Sequence, residues 1–173
     1  MVLDPVGQPE GVTLIGDLPL GVSDDSADVW ASPEQFQLDE TGRPSKVAGV
    51  PPDYFNPDGQ SWGNPIYDWE AMARDGYAWW VRRIRHALDV YDFLRLDHFR
   101  GFSEYFAIPA GQPASEGLWQ MGPGMALFEA LEKSLGGTPP ILGEDLGHLD
   151  AEVYNLLRQS GFPGMDVFQF ERH

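Results

Sequence analysis

The chain has 173 residues, of which 42% are hydrophobic, and a formal net charge of −16; this length allows one domain with its own core. So acidic a surface repels phosphate backbones and argues against nucleic acid as a partner. With no cysteine, no export signal and no apolar run of the ~18 residues that a membrane span needs, the sequence excludes disulfides and favours a cytoplasmic location without a membrane partner.

Residues 1–10 match no pattern, whereas residues 11–20, G-V-T-L-I-G-D-L-P-L, predict a short strand with Asp17 at its exit. Residues 21–65 follow as a long turn-rich stretch with little periodicity, which predicts a loop too long to be an idle connector. Aromatic rings in its second half suit the apolar faces of sugars, and polar side chains between them suit hydroxyls. The same composition also fits a loop pinned to its own body. The residues concerned are Asp53, Tyr54, Phe55, Gln60, Trp62 and Asn64.

Residues 68–90 predict one helix, because apolar side chains recur at steps of three or four from Trp69 to Leu88. Asp68 is the expected N-cap, and Glu70 lies in the first turn. The aromatic stripe is expected to be core packing. The basic cluster is expected to be a solvated face; it comprises Arg74, Arg82, Arg83 and Arg85.

Residues 91–102, Y-D-F-L-R-L-D-H-F-R-G-F, begin with a predicted strand over 91–97 and continue with the charged side chains of Asp97, His98 and Arg100. Because side chains alternate along a strand, Arg95 and Asp97 should point the same way. A guanidinium at that distance holds an aspartate ionised, ready to attack or to stabilise positive charge. A structural ion pair that closes the strand is the alternative. His98 would lie on the same rim, where it could donate to a substrate hydroxyl or be a structural histidine.

The remaining chain predicts an irregular connector over 103–121, a helix over 124–135, a strand over 140–146, a helix over 150–160 and a last strand over 164–170. The strand over 140–146 ends in Glu144 and Asp145. Alternation of strands and helices favours parallel strands with crossover helices, as in a partial (β/α)8 barrel or a doubly wound open sheet. No glycine-rich nucleotide-binding motif supports the open sheet.

Four strands make about half of a barrel, so the chain is expected to be a truncated or excised segment. Its exposed sheet edges would invite self-association. Asp17, Asp97 and Glu144 would line one rim, and two facing carboxylates are the apparatus of glycoside cleavage. Arg95 would keep Asp97 ionised, whereas burial of Glu144 would favour the protonated form that a proton donor needs. A metal site is the rival interpretation of three acids.

The chain resembles the amylomaltases, also called 4-α-glucanotransferases or disproportionating enzymes, which form glycoside hydrolase family 77 in the α-amylase clan. The matching segments occur in the right order and span nearly everything after Gly11. They are I-G-D-L-P-L (15–20), D-S-A-D-V-W-A-S-P-E-Q-F-Q-L-D (25–39), V-A-G-V-P-P-D-Y-F (47–55), G-Q-S-W-G-N-P-I-Y-D-W (59–69), L-R-L-D-H-F-R-G-F (94–102), I-L-G-E-D-L-G (141–147) and G-F-P-G-M-D-V-F-Q-F (161–170).

The resemblance implies a catalytic (β/α)8 barrel of which residues 11–173 carry strands three to six, with 21–65 as a loop that covers the substrate. It implies Asp97 as nucleophile and Glu144 as general acid/base in a retaining transfer of α-1,4-glucan segments, without metal or organic cofactor. The other residues that match substrate-contacting positions or fall on the covering loop are Asp17, Arg95, His98, Tyr54, Phe55, Trp62 and Asn64.

The chain departs from the family in one respect that bears on activity. A third acidic residue, which the family carries in a T-H-D motif after the seventh strand, has no counterpart in this sequence. The 173-residue polypeptide by itself is therefore expected to lack transferase activity. A glucan hydrolase of the same clan and a non-catalytic glucan-binding fragment are the alternatives.

Overall fold

The computed structural model describes residues 12–147 and 149–166. Three short 3-10 turns, Pro33–Gln35, Phe99–Phe102 and Ala114–Glu116, join longer elements. In chain order those elements are β1 (Ile15–Leu18), α1 (Ala27–Ala31), β2 (Lys46–Val50), β3 (Gln60–Pro65), α2 (Trp69–Arg74), α3 (Ala78–Leu88), β4 (Phe93–Leu96), β5 (Glu104–Pro109), β6 (Leu118–Met121), α4 (Met125–Leu135), β7 (Ile141–Gly143) and α5 (Ala151–Ser160).

A parallel sheet in the order β1-β4-β7 confirms the predicted crossover pattern for three of the four strands. Asp17 pairs with Arg95 across β1 and β4, and Leu96 pairs with Gly143 across β4 and β7. Leu94 and Leu96 are buried while Arg95 between them is half-buried, which confirms the alternation read from the sequence. The C-terminal ends of all three strands therefore meet at one edge.

The main core lies between this sheet and the helices α3, α4 and α5, and it is rich in aromatic rings. Trp80 packs edge-on against Phe102 with ring centroids 5.3 Å apart. Phe99 stacks on Phe128 at 5.5 Å with an interplanar angle of 7°. Because Phe99 and Phe102 belong to the turn that directly follows β4, this packing fixes the chain where the charged side chains emerge.

The single helix predicted over 68–90 is wrong, because two helices meet at a turn there. Asp68 caps α2 as predicted, its Oδ1 accepting from the N–H of Ala71 at 2.9 Å. Asp75 Oδ1 then accepts from the N–H of Ala78, while Gly76 and Tyr77 both have positive φ. Burial of the Tyr77 side chain stabilises this backbone conformation, which a continuous apolar periodicity could not reveal.

An antiparallel sheet in the order β3-β2-β5-β6 replaces the loops predicted over 21–65 and 103–121. Its strands pair residues far apart in sequence, such as Val47 with Ile108, so local periodicity did not indicate them. Gly49 shows how close the backbones lie, since a Cβ there would be 2.1 Å from the carbonyl oxygen of Gln60. A small second core forms under this sheet from Phe106, Ile108 and Ala114.

The helices predicted over 124–135 and 150–160 agree with the structure at their ends, whereas the strand predicted over 140–146 is confirmed only over Ile141–Gly143. Asp150 caps α5 through the N–H of Val153, and Gly136 and Gly161 end α4 and α5 with positive φ. Residues 164–166 are not in a strand, and the rest of the strand predicted over 164–170 lies outside the described residues, as do residues 1–10. In the parts of the chain that the structure describes, no helix has the length and apolar character to cross a membrane.

Candidate active site

A cavity of about 390 Å³ lies between the C-terminal edge of the parallel sheet and the inner face of the antiparallel sheet. The turns after β4 and β7 supply its acidic and imidazole groups, and β2, β3 and β5 supply much of the opposite wall. The lining residues are Pro19, Leu20, Gly21, Ala48, Trp62, Asn64, Pro65, Ile66, Tyr67, Trp69, Asp97, His98, Gly101, Tyr105 and Glu144.

Arg95 forms two ion pairs at this edge, where the sequence predicted one. Its Nη1 lies 2.7 Å from Asp17 Oδ1 and 2.8 Å from Asp97 Oδ1, and its Nε donates to Met165 Sδ. Partial burial acts to lower the pKa of the Arg95 guanidinium, but hydrogen bonds to both carboxylates outweigh it and raise that pKa above its ordinary value. The arginine therefore remains charged beside both carboxylates.

Asp97 and Glu144 follow neighbouring strands, and both line the cavity. Glu144 is half-buried, and its two carboxylate oxygens accept different backbone N–H groups. Oε2 accepts from His98 and Oε1 from Leu146, each at 2.9 Å. The Glu144 carbonyl oxygen also accepts from the N–H of Phe99. The turn that follows the aspartate is thus bonded directly to the glutamate.

His98 follows Asp97 directly and has a left-handed backbone conformation, with φ 51°. Its ring meets Trp62 edge-on at a centroid distance of 5.0 Å. Burial lowers the pKa of the imidazole most strongly, Glu144 and Asp97 act to raise it, and Arg100 lowers it further, so the net pKa is below the ordinary value. At neutral pH His98 therefore presents an uncharged imidazole to the cavity.

The segment predicted to bind sugar divides into two parts. Trp62 and Asn64 on β3 line the cavity, and Asn64 Nδ2 donates to the carbonyl oxygen of Val22 at 2.8 Å. Tyr54 and Phe55 lie outside it with 93% and 91% of their surface exposed, so these two rings do not pin their loop to the body.

Three further predicted residues also lie outside the cavity lining. Asp53 Oδ1 accepts the N–H groups of Phe55 and Asn56 and so shapes its own turn. Gln60 Oε1 accepts from the indole N–H of Trp62 at 3.0 Å, which orients that ring. Asp17 is exposed and reaches the site through Arg95.

Sequence reasoning missed three aromatic residues of the cavity wall, Tyr67, Trp69 and Tyr105. The hydroxyl of Tyr67 donates to the carbonyl oxygen of Leu20 at 2.6 Å, which holds the turn after β1. Burial raises the pKa of the Tyr67 and Tyr105 phenols, so both remain protonated at neutral pH. The only feature of the sequence that marked these residues was an aromatic side chain next to a predicted helix cap or inside an apolar run.

The basic cluster of α2 and α3 is solvated only in part. Arg83 is half-buried, its guanidinium lies over the rings of Trp79 and Trp80, and Nη2 donates to the carbonyl oxygen of Pro19. Arg74, Arg82 and Arg85 are exposed, as predicted. Among residues 12–147 and 149–166, no group of three or more histidine or acidic side chains is arranged to hold a metal ion. His148 and His173 lie outside this part of the chain.

Comparison with known proteins gives concordant results in sequence and in structure. The sequence pattern of the family described as 4-alpha-glucanotransferase matches residues 5–173. The chain is 51% identical over 161 residues to the 4-alpha-glucanotransferase of Thermus thermophilus, which covers 92% of this chain and 32% of that protein. It is 49% identical over 162 residues to the chloroplastic/amyloplastic 4-alpha-glucanotransferase DPE1 of Arabidopsis thaliana, with 93% and 28% covered.

Among solved structures, the amylomaltase from Streptococcus agalactiae in complex with acarbose superimposes with a TM-score of 0.87 at 46% identity, covering 92% of this chain and 32% of that one. The amylomaltase from Corynebacterium glutamicum gives a TM-score of 0.78 at 28% identity, with 91% and 22% covered. The chain spans about a third of the length of the curated relatives it matches.

Proposed function

The chain belongs to the 4-alpha-glucanotransferase family, and we propose that it carries the nucleophile and the acid/base of a retaining transfer of α-1,4-glucan segments. One observation supports this above all: Asp97 and Glu144 directly follow neighbouring parallel strands and line the same cavity. Retaining cleavage of a glycosidic bond needs two carboxyl groups that face the same linkage. The substrates proposed are α-1,4-glucans and malto-oligosaccharides.

In the first half of the reaction, an Asp97 carboxylate oxygen attacks the anomeric carbon of the donor glucan. The bond from that carbon to the glycosidic oxygen breaks, and Glu144 gives its proton to the departing oxygen. Arg95 Nη1 lies 2.8 Å from Asp97 Oδ1 and holds the attacking carboxylate in place.

In the second half, Glu144 acts as a base and accepts the proton of an acceptor's 4-hydroxyl. That oxygen attacks the anomeric carbon, the ester bond to Asp97 breaks, and a new α-1,4 linkage forms. Water competes with the acceptor for the same ester. The rings of Trp62, Tyr67 and Tyr105 form walls that hold a sugar in place of water, which raises the acceptor's effective concentration.

The proposal extends to the parts of the fold that hold these residues. Residues 11–173 would supply strands three to six of a (β/α)8 barrel, and residues 21–65, including exposed Tyr54 and Phe55, would cover the bound glucan. Asp17, Asp53 and Gln60 would contact substrate hydroxyls at its edges. The reaction as proposed uses no cofactor. A reducing, cytoplasmic compartment suits a chain without cysteine.

The product pattern from maltotriose tests the reaction. It is measured on the longest open reading frame that contains these residues, with D97N and E144Q variants as matched controls. Glucose together with a ladder of longer oligosaccharides, absent in both variants, is the expected result. Shorter sugars without longer ones would mean hydrolysis, and an unchanged ladder in D97N would exclude Asp97 as the nucleophile.

The 173-residue polypeptide assayed alone is proposed to bind glucan without turnover, because the third acid that the resemblance implies is absent from its sequence. Glucose release from maltotriose by this polypeptide would contradict that. Binding without turnover would be the behaviour of a glucan-binding fragment, a function that the exposed rings of Tyr54 and Phe55 also favour.

A further inference from the structure

Arg100 lies three residues after the proposed nucleophile, in the 3-10 turn Phe99–Phe102, and outside the cavity lining. Its side chain is 18% exposed. Nothing in the proposed reaction uses it. Its carboxylate and aromatic neighbours lie on β5, on β6 and at the start of α5.

Two carboxylates accept hydrogen bonds from the same guanidinium nitrogen. Nη2 donates to Glu104 Oε1 at the start of β5 and, at 3.0 Å, to Asp150 Oδ2. Asp150 is also the N-cap of α5, because its other oxygen accepts from the N–H of Val153. One aspartate thus fixes the start of a helix and the turn after β4 together.

The guanidinium also lies over an aromatic ring. The Arg100 Cζ lies 4.3 Å from the centroid of Trp119 on β6. This contact, together with Glu104, joins the turn after β4 to the antiparallel sheet that forms the far wall of the cavity. A lysine could replace the charge, but it lacks both the planar stack and the forked donors.

The segment that carries Glu144 is held at both ends as a result. At its start, Glu144 accepts the N–H groups of His98 and Phe99. At its end, Asp150 is bonded to Arg100. Movement of Arg100 would therefore shift the turn of His98 and the Glu144 segment relative to each other.

We propose that Arg100 is a positioning residue that sets the separation of Asp97 and Glu144 through the Arg100 junction, which comprises Arg100, Glu104, Trp119 and Asp150. The proposal takes the two acids as the reacting pair from the proposed function. The structural part of the proposal is that the Arg100 junction holds the His98 turn and the Glu144 segment together. This part does not depend on any sugar.

Amide hydrogen exchange in the 173-residue chain directly tests whether Arg100 holds these two segments together. The variant is R100Q, and the matched control is R85Q, because Arg85 also donates a hydrogen bond to a residue far away in the chain, the carbonyl oxygen of Ser134, but is exposed on α3. In R100Q the His98 and Phe99 amides should exchange about 10- to 100-fold faster, as loss of charge-assisted hydrogen bonds predicts. The amides of Leu94 and Val81, bonded to Pro140 and Tyr77, should change much less.

A merely structural role gives a different pattern. If Arg100 only stabilises the fold, all four amides accelerate by one common factor, and the proposal is overturned. It is also overturned if R100Q leaves the His98 and Phe99 amides unchanged, or if R85Q accelerates them equally. If R100Q does not fold, D150N replaces it as the test variant. An asparagine still caps α5 but lacks the charge that faces Arg100. The same selective acceleration of the His98 and Phe99 amides is expected.

A kinetic measurement on the longest open reading frame addresses the reacting pair. R100Q should lower kcat for maltotriose by about tenfold or more while KM changes little, because misplaced groups slow the chemical step more than they weaken binding. A rise in KM with unchanged kcat would overturn the positioning role. If the parent protein gives no transfer at all, the proposed function fails. The exchange experiment still shows whether the Arg100 junction holds the His98 turn and the Glu144 segment together.

Discussion

The two sheets of this molecule differ in how they are held and in what they contribute to the cavity. Leu94, Leu96 and Ile141 of the parallel sheet are fully buried in a large cluster that includes three helices. The antiparallel sheet rests on three buried residues, and Trp62, Leu118 and Met121 on it remain exposed. The rigid sheet presents the proposed reacting carboxylates, whereas the less buried sheet presents aromatic rings that a substrate could cover.

The difference shows that separate hydrophobic cores support the proposed reacting carboxylates and the aromatic rings that a substrate could cover. Groups that react must stay within a fraction of an ångström of one geometry, so they suit strand ends fixed by a deep core. Rings that contact a long polymer need accessible surface. The Arg100 junction joins the two sheets where these requirements meet.

The largest expected effect concerns the parallel sheet. In the longest open reading frame, Asp97→Asn should lower kcat for maltotriose by at least about 10⁴-fold, because loss of a nucleophile removes the covalent route. Binding of maltotriose, measured by calorimetry, should change little, since the amide keeps the volume and one acceptor oxygen. A large loss of binding with modest loss of kcat would assign Asp97 to recognition instead.

The next effect compares the two cores directly. Leu96→Ala should reduce the free energy of unfolding by about 4 kcal/mol, because the close-packed main core leaves a cavity. Ile108→Ala, equally buried but in the small cluster, should cost about 2 kcal/mol, because its surroundings can relax. Urea denaturation of the 173-residue chain measures both. Equal losses would contradict the difference in packing described here.

A smaller effect is expected for sugar contact by the antiparallel sheet. Trp62→Ala should weaken maltotriose binding about tenfold by removing ring surface that the sugar covers, while unfolding by urea changes little because the ring is 42% exposed. Trp30→Ala is the matched control, since Trp30 is 86% exposed on α1 and outside the cavity lining. Equal weakening in both variants would remove Trp62 from the site.

The smallest effect is a pH dependence from His98. Its pKa is lowered in the folded chain, so between that pKa and the ordinary value near 6.5 the unfolded chain binds more protons. The contribution of His98 to the free energy of unfolding should therefore decrease as the pH falls below about 6.5 and stay constant above that pH. The difference in unfolding free energy between the parent and H98Q, measured from pH 5 to 7.5, isolates it; a difference that does not vary with pH would contradict the lowered pKa.

The sequence by itself determined the local features of the fold and much of the site. Caps at Asp68 and Asp150 and the glycines after α4 and α5 marked helix ends, because each satisfies backbone groups within a few residues. Strand alternation put Arg95 beside Asp97 for the same local reason. Glu144 was found from its position after an apolar run, and the ordered motifs indicated the family.

Only the tertiary structure decided which distant segments meet. The pairing of Val47 with Ile108 built a sheet from stretches that had looked like loops, and it turned Tyr105 towards the cavity with Tyr67. Asp17 became the second partner of Arg95 only because β1 lies beside β4. The pairs Val47–Ile108 and Asp17–Arg95 join residues 60 or more apart in the chain. A periodicity within one segment cannot predict such pairs.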